Sequence, residues 1–285
     1  MTSRYSKVFS YLFSFIWVIK AIESLYLFSH GDALSYHLVW PKLVLSNGIQ
    51  DTISHFFPIW LSGYFDFIYF VPSFIFGDGA EAQQLGQFIH FFLSIGLGSI
   101  ILVKFIKHPQ YRWLAGISLL TIAESADFFL YAKNDGFIAL CSLISFLLIQ
   151  NNHKYSKYFL GLIFGLAIGT KLSALFFMLP LGFLYLMNCL KKKNYDFLFV
   201  IFITIITTLP TLIIKYSYLK SPFFPGLLDL FPGNLDIDLK NRYNSLVKVP
   251  SSLTSTLKNI KAFYFFKLAT FIILLSSLVS EKEKR

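Results

Sequence analysis

The chain has 285 residues, of which 55% are apolar and only 14% are charged, and its formal net charge is +10. A soluble domain of this length cannot bury so much apolar surface in one core, whereas lipid can solvate that surface around membrane helices. The basic residues lie in short clusters between apolar runs, which argues against a nucleic-acid partner. Cys141 and Cys189 have no nearby Cys or His and indicate neither a disulfide framework nor a metal site.

Apolar runs long enough to cross a bilayer recur along the chain. The first, Val8–Phe28, follows Arg4 and Lys7 and is longer than the core of a signal peptide, so it predicts an uncleaved anchor. Further single spans are predicted at Leu85–Ile106, Trp113–Ala132, Gly136–Ile149, Phe197–Tyr216 and Ala262–Ser280.

The segment Phe159–Asn188 is too long for one span and too short for two spans with a loop. Gly161, Gly165, Gly169 and Lys171 interrupt it, which predicts two short helices that meet near Lys171. Irregular backbone at membrane depth requires a cavity or protein neighbours to satisfy its polar groups. The sequence therefore predicts an all-α integral membrane protein with about eight transmembrane helices.

The distribution of charge predicts the orientation of these helices. If the N-terminus is inside and the spans alternate, the inner segments hold 13 of the 25 basic residues and three of the 15 acidic ones, Asp196, Glu281 and Glu283. The rest of the chain then holds 12 residues of each sign. Membrane proteins keep an excess of Lys and Arg in their cytoplasmic loops. We therefore expect a multi-pass protein of the inner (plasma) membrane with both termini in the cytoplasm.

In that orientation two long loops lie outside, residues 29–84 and 217–261, within a single polytopic domain of residues 1–285. The first loop contains an aromatic stretch, Phe56–Phe76, that predicts interfacial helices and not a span. It is interrupted at Pro58, Gly63, Asp66 and Pro72.

The densest polar cluster follows the first span, at Ser29–His37. It places Asp32, Tyr36 and two histidines within roughly two helical turns. A carboxylate beside a membrane cavity can act as a general base toward an acceptor hydroxyl or amine. On residue type alone the favoured role of Asp32 is to cap a helix that begins at Ala33, since Asp is a preferred N-cap residue.

The segment Gly31–Leu38, with Pro41 and Asn47-Gly48 after it, resembles the first outer loop of bacterial GT-C glycosyltransferases. The nearest group is the family 39-like one, with the protein O-mannosyltransferases and the lipid A aminoarabinose transferase. The resemblance covers about Tyr11 to Pro232, and many relatives have Asn-Pro where this chain has Ser221-Pro222. Three later motifs agree with it in order: Lys133–Gly136, Gly165–Lys171 and Ser221–Pro225.

The resemblance implies a GT-C-like fold whose outer cavity transfers a hexose or pentose from a polyprenyl-phosphate donor to a lipid, glycan or protein acceptor of the cell envelope. By the same resemblance Asp32 is the catalytic base or positions the acceptor, and Lys171 contacts the donor phosphate. Ala33 stands where the mannosyltransferases carry a second acidic residue, so their acceptor cannot be transferred to this chain. The remaining candidates for substrate binding are Tyr36, His37, Lys133, Asp135 and Arg242.

Simpler roles exist for most of these residues. Lys171 can extend to the lipid headgroups, Asp135 can cap a helix, and Arg242 can belong to a solvated loop. Lys20 and Glu23 are three residues apart in the first span, so we expect them to pair and reduce their burial cost.

Two further groups of polar residues suggest a cavity or a metal site. Glu124 and Asp127 form a second i, i+3 couple, which needs a cavity, water or a cation and would line the acceptor pocket. His30, Asp32, His37 and His55 match no standard metal spacing, so no metal or other cofactor is indicated, although a divalent ion stays possible.

Two other classes of function stay open. Broken helices and intramembrane charges also occur in transporters or flippases of lipid-linked sugars, although the two halves of this chain show no symmetry. A truncated, non-catalytic GT-C homologue is the third reading, because relatives often continue with further spans or an outer domain.

Overall fold

The computed structural model describes residues 2–26, 37–48, 51–52, 63–77, 79–122, 134–151 and 154–223. All of them belong to the first of two compact units, Met1–Asn234; the second unit, Leu235–Arg285, lies outside the described residues. Within the described ranges the regular structure is entirely helical, as the sequence predicts.

The first half of the chain forms α1 (Thr2–Glu23), α2 (Trp40–Asn47), a 3₁₀ helix (Tyr64–Tyr69) and α3 (Phe70–Phe76). A long helix follows, made of α4 (Ala80–Phe91), a π-helical turn (Phe92–Gly96) and α5 (Leu97–Phe105). It is followed by α6 (Pro109–Ile122) and α7 (Asn134–Asn151). The last helices are α8 (Ser156–Thr170), a 3₁₀ turn (Leu172–Ala174), α9 (Leu175–Lys191) and α10 (Asp196–Leu219).

Four of these helical segments are long and apolar enough to cross a membrane: Ala80–Phe105, Asn134–Asn151, Leu172–Lys191 and Asp196–Leu219. The last two leave most of their apolar side chains uncovered by protein; Phe176 of α9 is 66% exposed and Phe202 of α10 is 58% exposed. Surfaces of this kind are stable when lipid covers them, so the structure is that of a membrane-embedded helical protein.

The predicted spans correspond to helices wherever the structure describes them. The break predicted near Lys171 is confirmed, because α8 ends at Thr170 and Lys171 has extended backbone (φ −156°, ψ 128°) before α9. The long helix begins at Ala80, five residues before the predicted start. The span at Ala262–Ser280 and half of the one at Trp113–Ala132 lie outside the described residues. The count of about eight spans stays a prediction.

The helices α8 and α10 form the closest helix pair, and they run parallel to each other. Gly161 and Gly165 of α8 face α10, where a Cβ at Gly165 would lie 2.4 Å from Thr207 Cβ. The hydroxyl groups of Thr204 and Thr208 bond within α10 at 2.8 and 2.9 Å and share their protons with the carbonyl oxygens of Gly161 and Gly165, at 3.2 and 3.3 Å. Small residues let membrane helices approach closely, and hydroxyl groups add hydrogen bonds between them.

A second core joins α1 to the long helix and α6. The Phe13 and Trp113 rings are 5.6 Å apart, and Trp113 Nε1 donates to Ser6 Oγ at 3.3 Å. Trp17 Nε1 donates to the carbonyl oxygen of Gly96, in the π-helical turn, at 3.2 Å. Because a π-helical turn shifts the carbonyl pattern of a helix, a side-chain donor from a neighbour can satisfy the displaced group.

Candidate functional site

The Asp66 carboxylate lies at the centre of a fully buried polar cluster. Asp66 is 0% exposed and His37 is 2% exposed. Asp66 Oδ2 accepts hydrogen bonds from the Gly63 backbone N–H at 2.8 Å and from Asn134 Nδ2 at 2.9 Å, and a third bond joins Asp66 Oδ1 to His37 Nδ1. Buried carboxylates are stable only when hydrogen bonds replace the lost water, and these bonds meet that need.

The local sequence explains how Asp66 reaches this position. Gly63 precedes the 3₁₀ helix, and Asp66 lies three residues later, the spacing at which a side chain can return to the first N–H of a helix. Gly63 also needs to be glycine here, because a Cβ would lie 2.1 Å from the carbonyl oxygen of Thr170. The Phe65 N–H donates to Thr170 Oγ1 at 3.3 Å, so the 3₁₀ helix sits directly on the end of α8.

The 3₁₀ helix also contacts α10. The Tyr64 hydroxyl donates to the carbonyl oxygen of Thr207, and the Tyr64 ring fills the space beside Gly169, where a Cβ would be 2.4 Å from it. Part of the long first loop is therefore fixed to the membrane helices by contacts with both α8 and α10.

A second polar feature lies beside the first, at the break between α8 and α9. Lys171 Nζ is 2.9 Å from Asp135 Oδ1, and the two side chains are 40% and 42% exposed. Asp135 lies in the first turn of α7, where the helix dipole favours a negative charge. Because Asn134 and Asp135 are consecutive, the start of α7 joins the buried Asp66 cluster to the accessible Asp135–Lys171 pair. We call these five side chains, His37, Asp66, Asn134, Asp135 and Lys171, the Lys171 site.

The predicted site residues fall into two groups. His37, Asp135 and Lys171 are described, and the structure brings the last two into contact and ties the first to them through Asp66 and Asn134. The others lie outside the described residues, together with the couple and the histidines noted in the sequence: Asp32, Tyr36, Lys133, Arg242, Glu124, Asp127, His30 and His55. The predicted pairing of Lys20 with Glu23 is confirmed by an Nζ–Oε2 distance of 2.7 Å.

Sequence reasoning missed Asp66 and Asn134 as members of this site. Asp66 was visible only as an interruption of an aromatic stretch, although a lone carboxylate among aromatic residues must find donors if the segment is buried. Asn134 lies in a polar motif between two predicted spans. In such a motif a charged residue is a stronger indication of function than a neutral amide. Their contact spans 68 residues of sequence, a separation that periodicity does not reveal.

Among the described residues, no three His, Cys, Asp or Glu side chains gather closely enough to hold a metal ion. The accessible Lys171–Asp135 pair is neutral overall, so an anion can contact the Lys171 ammonium only by replacing the Asp135 carboxylate. Asn134 adds a buried acceptor: its Oδ1 receives no hydrogen bond within the described part of the chain. A water molecule or a substrate hydroxyl could supply that donor.

A shallow cavity of about 350 Å³ lies between α2 and α3, lined in part by Lys42, Ser46 and Ser73. No protein-family model, curated protein or solved structure matches the chain. The function is therefore inferred from the chemistry of the chain's own residues.

Proposed function

We propose that this chain is a GT-C-like glycosyltransferase with about eight spans. It transfers a sugar from a polyprenyl-phosphate donor to a lipid, glycan or protein acceptor at the outer face of the membrane. The observation that carries the proposal is the position of Lys171, an accessible ammonium in the break between two membrane helices. Charged groups at such breaks usually serve a substrate, since they are costly to maintain in a membrane.

The reaction needs a cation where Lys171 lies. When the acceptor oxygen attacks the anomeric carbon, the bond from that carbon to the phosphate oxygen breaks and polyprenyl phosphate leaves with an added negative charge. An ammonium beside that oxygen stabilises the developing charge. Asp135 holds Lys171 in place before the donor binds, and a phosphate can take over this contact because both side chains are partly open to solvent.

Asp66 acts through position and not through contact with the reacting atoms. It anchors His37, which directly follows the segment with Asp32 and Tyr36. Asp32, proposed from the family resemblance as the base, would accept the proton of the acceptor hydroxyl or amine. A rigid anchor beside a catalytic group reduces the entropy lost when the reactants are aligned.

The break between α8 and α9 also favours a second candidate, a transporter or flippase of the same lipid-linked sugar. Interrupted membrane helices bind substrates in many transporters. The two candidates differ in their chemistry, because only the transferase makes a new glycosidic bond.

The test compares cells that carry the wild type, a deletion, Asp32→Asn, Lys171→Gln or Lys220→Gln. Lys220, at the end of α10, is the matched control, because its exposed ammonium contacts only the carbonyl of Ser217 and the ring of Tyr216 within the described residues. Polyprenyl-phosphate sugars and envelope glycans are measured by mass spectrometry, and protein levels by immunoblot. We expect Lys171→Gln to lower transfer about 10- to 100-fold, the usual effect of losing a charge-assisted contact.

The transferase is supported if one sugar modification is lost and one lipid-linked sugar accumulates. This result is expected in the deletion, in Asp32→Asn and in Lys171→Gln, but not in Lys220→Gln. Equal effects of Lys171→Gln and Lys220→Gln would remove the proposed role of Lys171. Movement of lipid-linked sugar across sealed vesicles without a new glycosidic bond would favour the transporter. If the deletion strain shows no change in any glycan, the protein is a non-catalytic homologue.

A further inference from the structure

A second polar cavity lies at the opposite end of α8 from the Lys171 site. Its volume is about 200 Å³, and its walls come from the start of α8, the end of α9 and the start of α10. Since α8 has 15 residues, this cavity is about 22 Å along the helix axis from Lys171. The proposed transfer reaction makes no use of it.

The walls of this cavity carry a net positive charge. Lys154, Lys157 and Lys192 line it, against a single carboxylate, Asp196. Asp196 Oδ1 is 2.8 Å from Lys157 Nζ, so that pair is neutral overall. Within the described residues neither Lys154 nor Lys192 has a carboxylate partner, which leaves two lysine charges without compensation.

The remaining walls supply polar groups to an anion. Asn194 accepts the backbone N–H of Asp196 with its Oδ1 at 3.4 Å, which leaves its amide NH₂ available to donate. The Tyr185 side chain also contributes to the wall. Lysine charges and neutral donors around a cavity of this size suit a phosphate group, whose several oxygens accept hydrogen bonds.

The surroundings indicate that the phosphate belongs to a lipid. Tyr155, Tyr158 and Tyr195 surround this end of the bundle and are 50%, 45% and 76% exposed. Lys154 Nζ lies 4.8 Å from the ring centre of Tyr155, and Lys157 Nζ lies 5.6 Å from that of Tyr158. Exposed tyrosines at the ends of membrane helices sit at the level of the lipid headgroups.

We propose that this cavity binds the phosphate group of an anionic membrane phospholipid. Basic pockets between membrane helices hold such headgroups, and each lysine near them strengthens binding about fivefold. The lipid would fasten α8 to the start of α10, across the contact that Lys157 and Asp196 already make. This inference is independent of the proposed transferase activity.

The test uses the full chain purified in a mild detergent and titrated with phosphatidylglycerol or phosphatidylcholine. Bound lipids are counted by native mass spectrometry. The double variant Lys154→Gln/Lys192→Gln removes the two uncompensated charges. The matched control, Lys191→Gln/Lys193→Gln, removes two exposed lysines that flank Lys192 but do not line the cavity.

We expect the wild type to prefer phosphatidylglycerol and the cavity variant to bind it roughly thirtyfold more weakly, with little change in the control. Arginine at both cavity positions should restore binding, which separates loss of charge from misfolding. Equal losses in the cavity variant and the control would overturn the proposal, since a diffuse surface charge predicts that result. Equal binding of the two lipids would overturn it as well.

Inorganic phosphate at constant ionic strength is the second probe, because a free anion has the same oxygens as a headgroup. The proposal expects phosphate to displace phosphatidylglycerol only weakly. The proposal fails if inorganic phosphate binds the lipid-free protein as tightly as the lipid does and this binding also requires Lys154 and Lys192. That result would show that the ligand is a soluble anion.

Discussion

The buried Asp66 carboxylate gives the sharpest prediction for the stability of the fold. Asp66→Ala removes an acceptor that receives bonds from Gly63, Asn134 and His37. Each donor left unsatisfied in a buried site costs about 1–3 kcal/mol. With three donors affected, we expect the free energy of unfolding to fall by at least about 3 kcal/mol.

The milder variant Asp66→Asn separates loss of charge from loss of hydrogen bonds. Its amide oxygen can still accept from Gly63 and Asn134, while its NH₂ group can donate to His37 Nδ1 in the other imidazole tautomer. We expect a loss of about 1 kcal/mol, since the bonds remain but are no longer assisted by charge. Glu81→Ala is the matched control, because Glu81 is an exposed carboxylate in the first turn of α4. Its removal should cost at most about 1 kcal/mol.

The assay can use the chain's own thiols. Cys141 and Cys189 are both 3% exposed, so a thiol-reactive dye reports their release as detergent-solubilised protein unfolds on heating. At about 2 °C per kcal/mol for a chain of this size, Tm should fall by about 6 °C or more in Asp66→Ala and by about 2 °C in Asp66→Asn. An Asp66→Ala protein that melts with the Glu81→Ala control would refute the buried cluster.

Two further predictions concern helix packing and orientation. Gly165→Ala should lower Tm, because the new Cβ would lie 2.4 Å from Thr207 Cβ. The control Gly182→Ala should leave Tm unchanged or raise it, because the nearest atom to its new Cβ is 3.4 Å away and Ala is the better helix former. Equal shifts in Tm would contradict the close contact between α8 and α10. In a cysteine-free background, Lys220→Cys should react with an impermeant maleimide in intact cells and Lys192→Cys only after permeabilisation, as the excess of inner lysines predicts. The reverse labelling would place the Lys171 site on the cytoplasmic side.

The structural features that depend only on residues close together in the chain could be predicted from the sequence. The interruption near Lys171 was predictable because a glycine-rich segment with one lysine cannot form a single regular span. The Lys20–Glu23 pair followed from the i, i+3 spacing alone, since residues three apart share a helix face. Both features require no knowledge of how distant segments pack.

The Asp66 cluster depends on distant segments, which is why sequence periodicity missed it. His37 and Asn134 are 29 and 68 residues away from Asp66 along the chain. The close fit of Gly63 against Thr170 arises from a turn and a helix end that share no local pattern. A buried carboxylate can be suspected from an isolated Asp among aromatic residues, but its donors follow only from the tertiary structure.

The position of Asp66 shows how the 3₁₀ helix Tyr64–Tyr69 is tied to the neighbouring membrane helices. Its carboxylate binds the start of its own 3₁₀ helix through Gly63 and the start of α7 through Asn134. The next residue of α7, Asp135, holds Lys171 at the end of α8. One buried charge therefore fixes the geometry of an accessible one. If the donor phosphate binds Lys171, a change at Asp66 should weaken binding although the two side chains do not touch, because it loosens the helix start that positions Asp135.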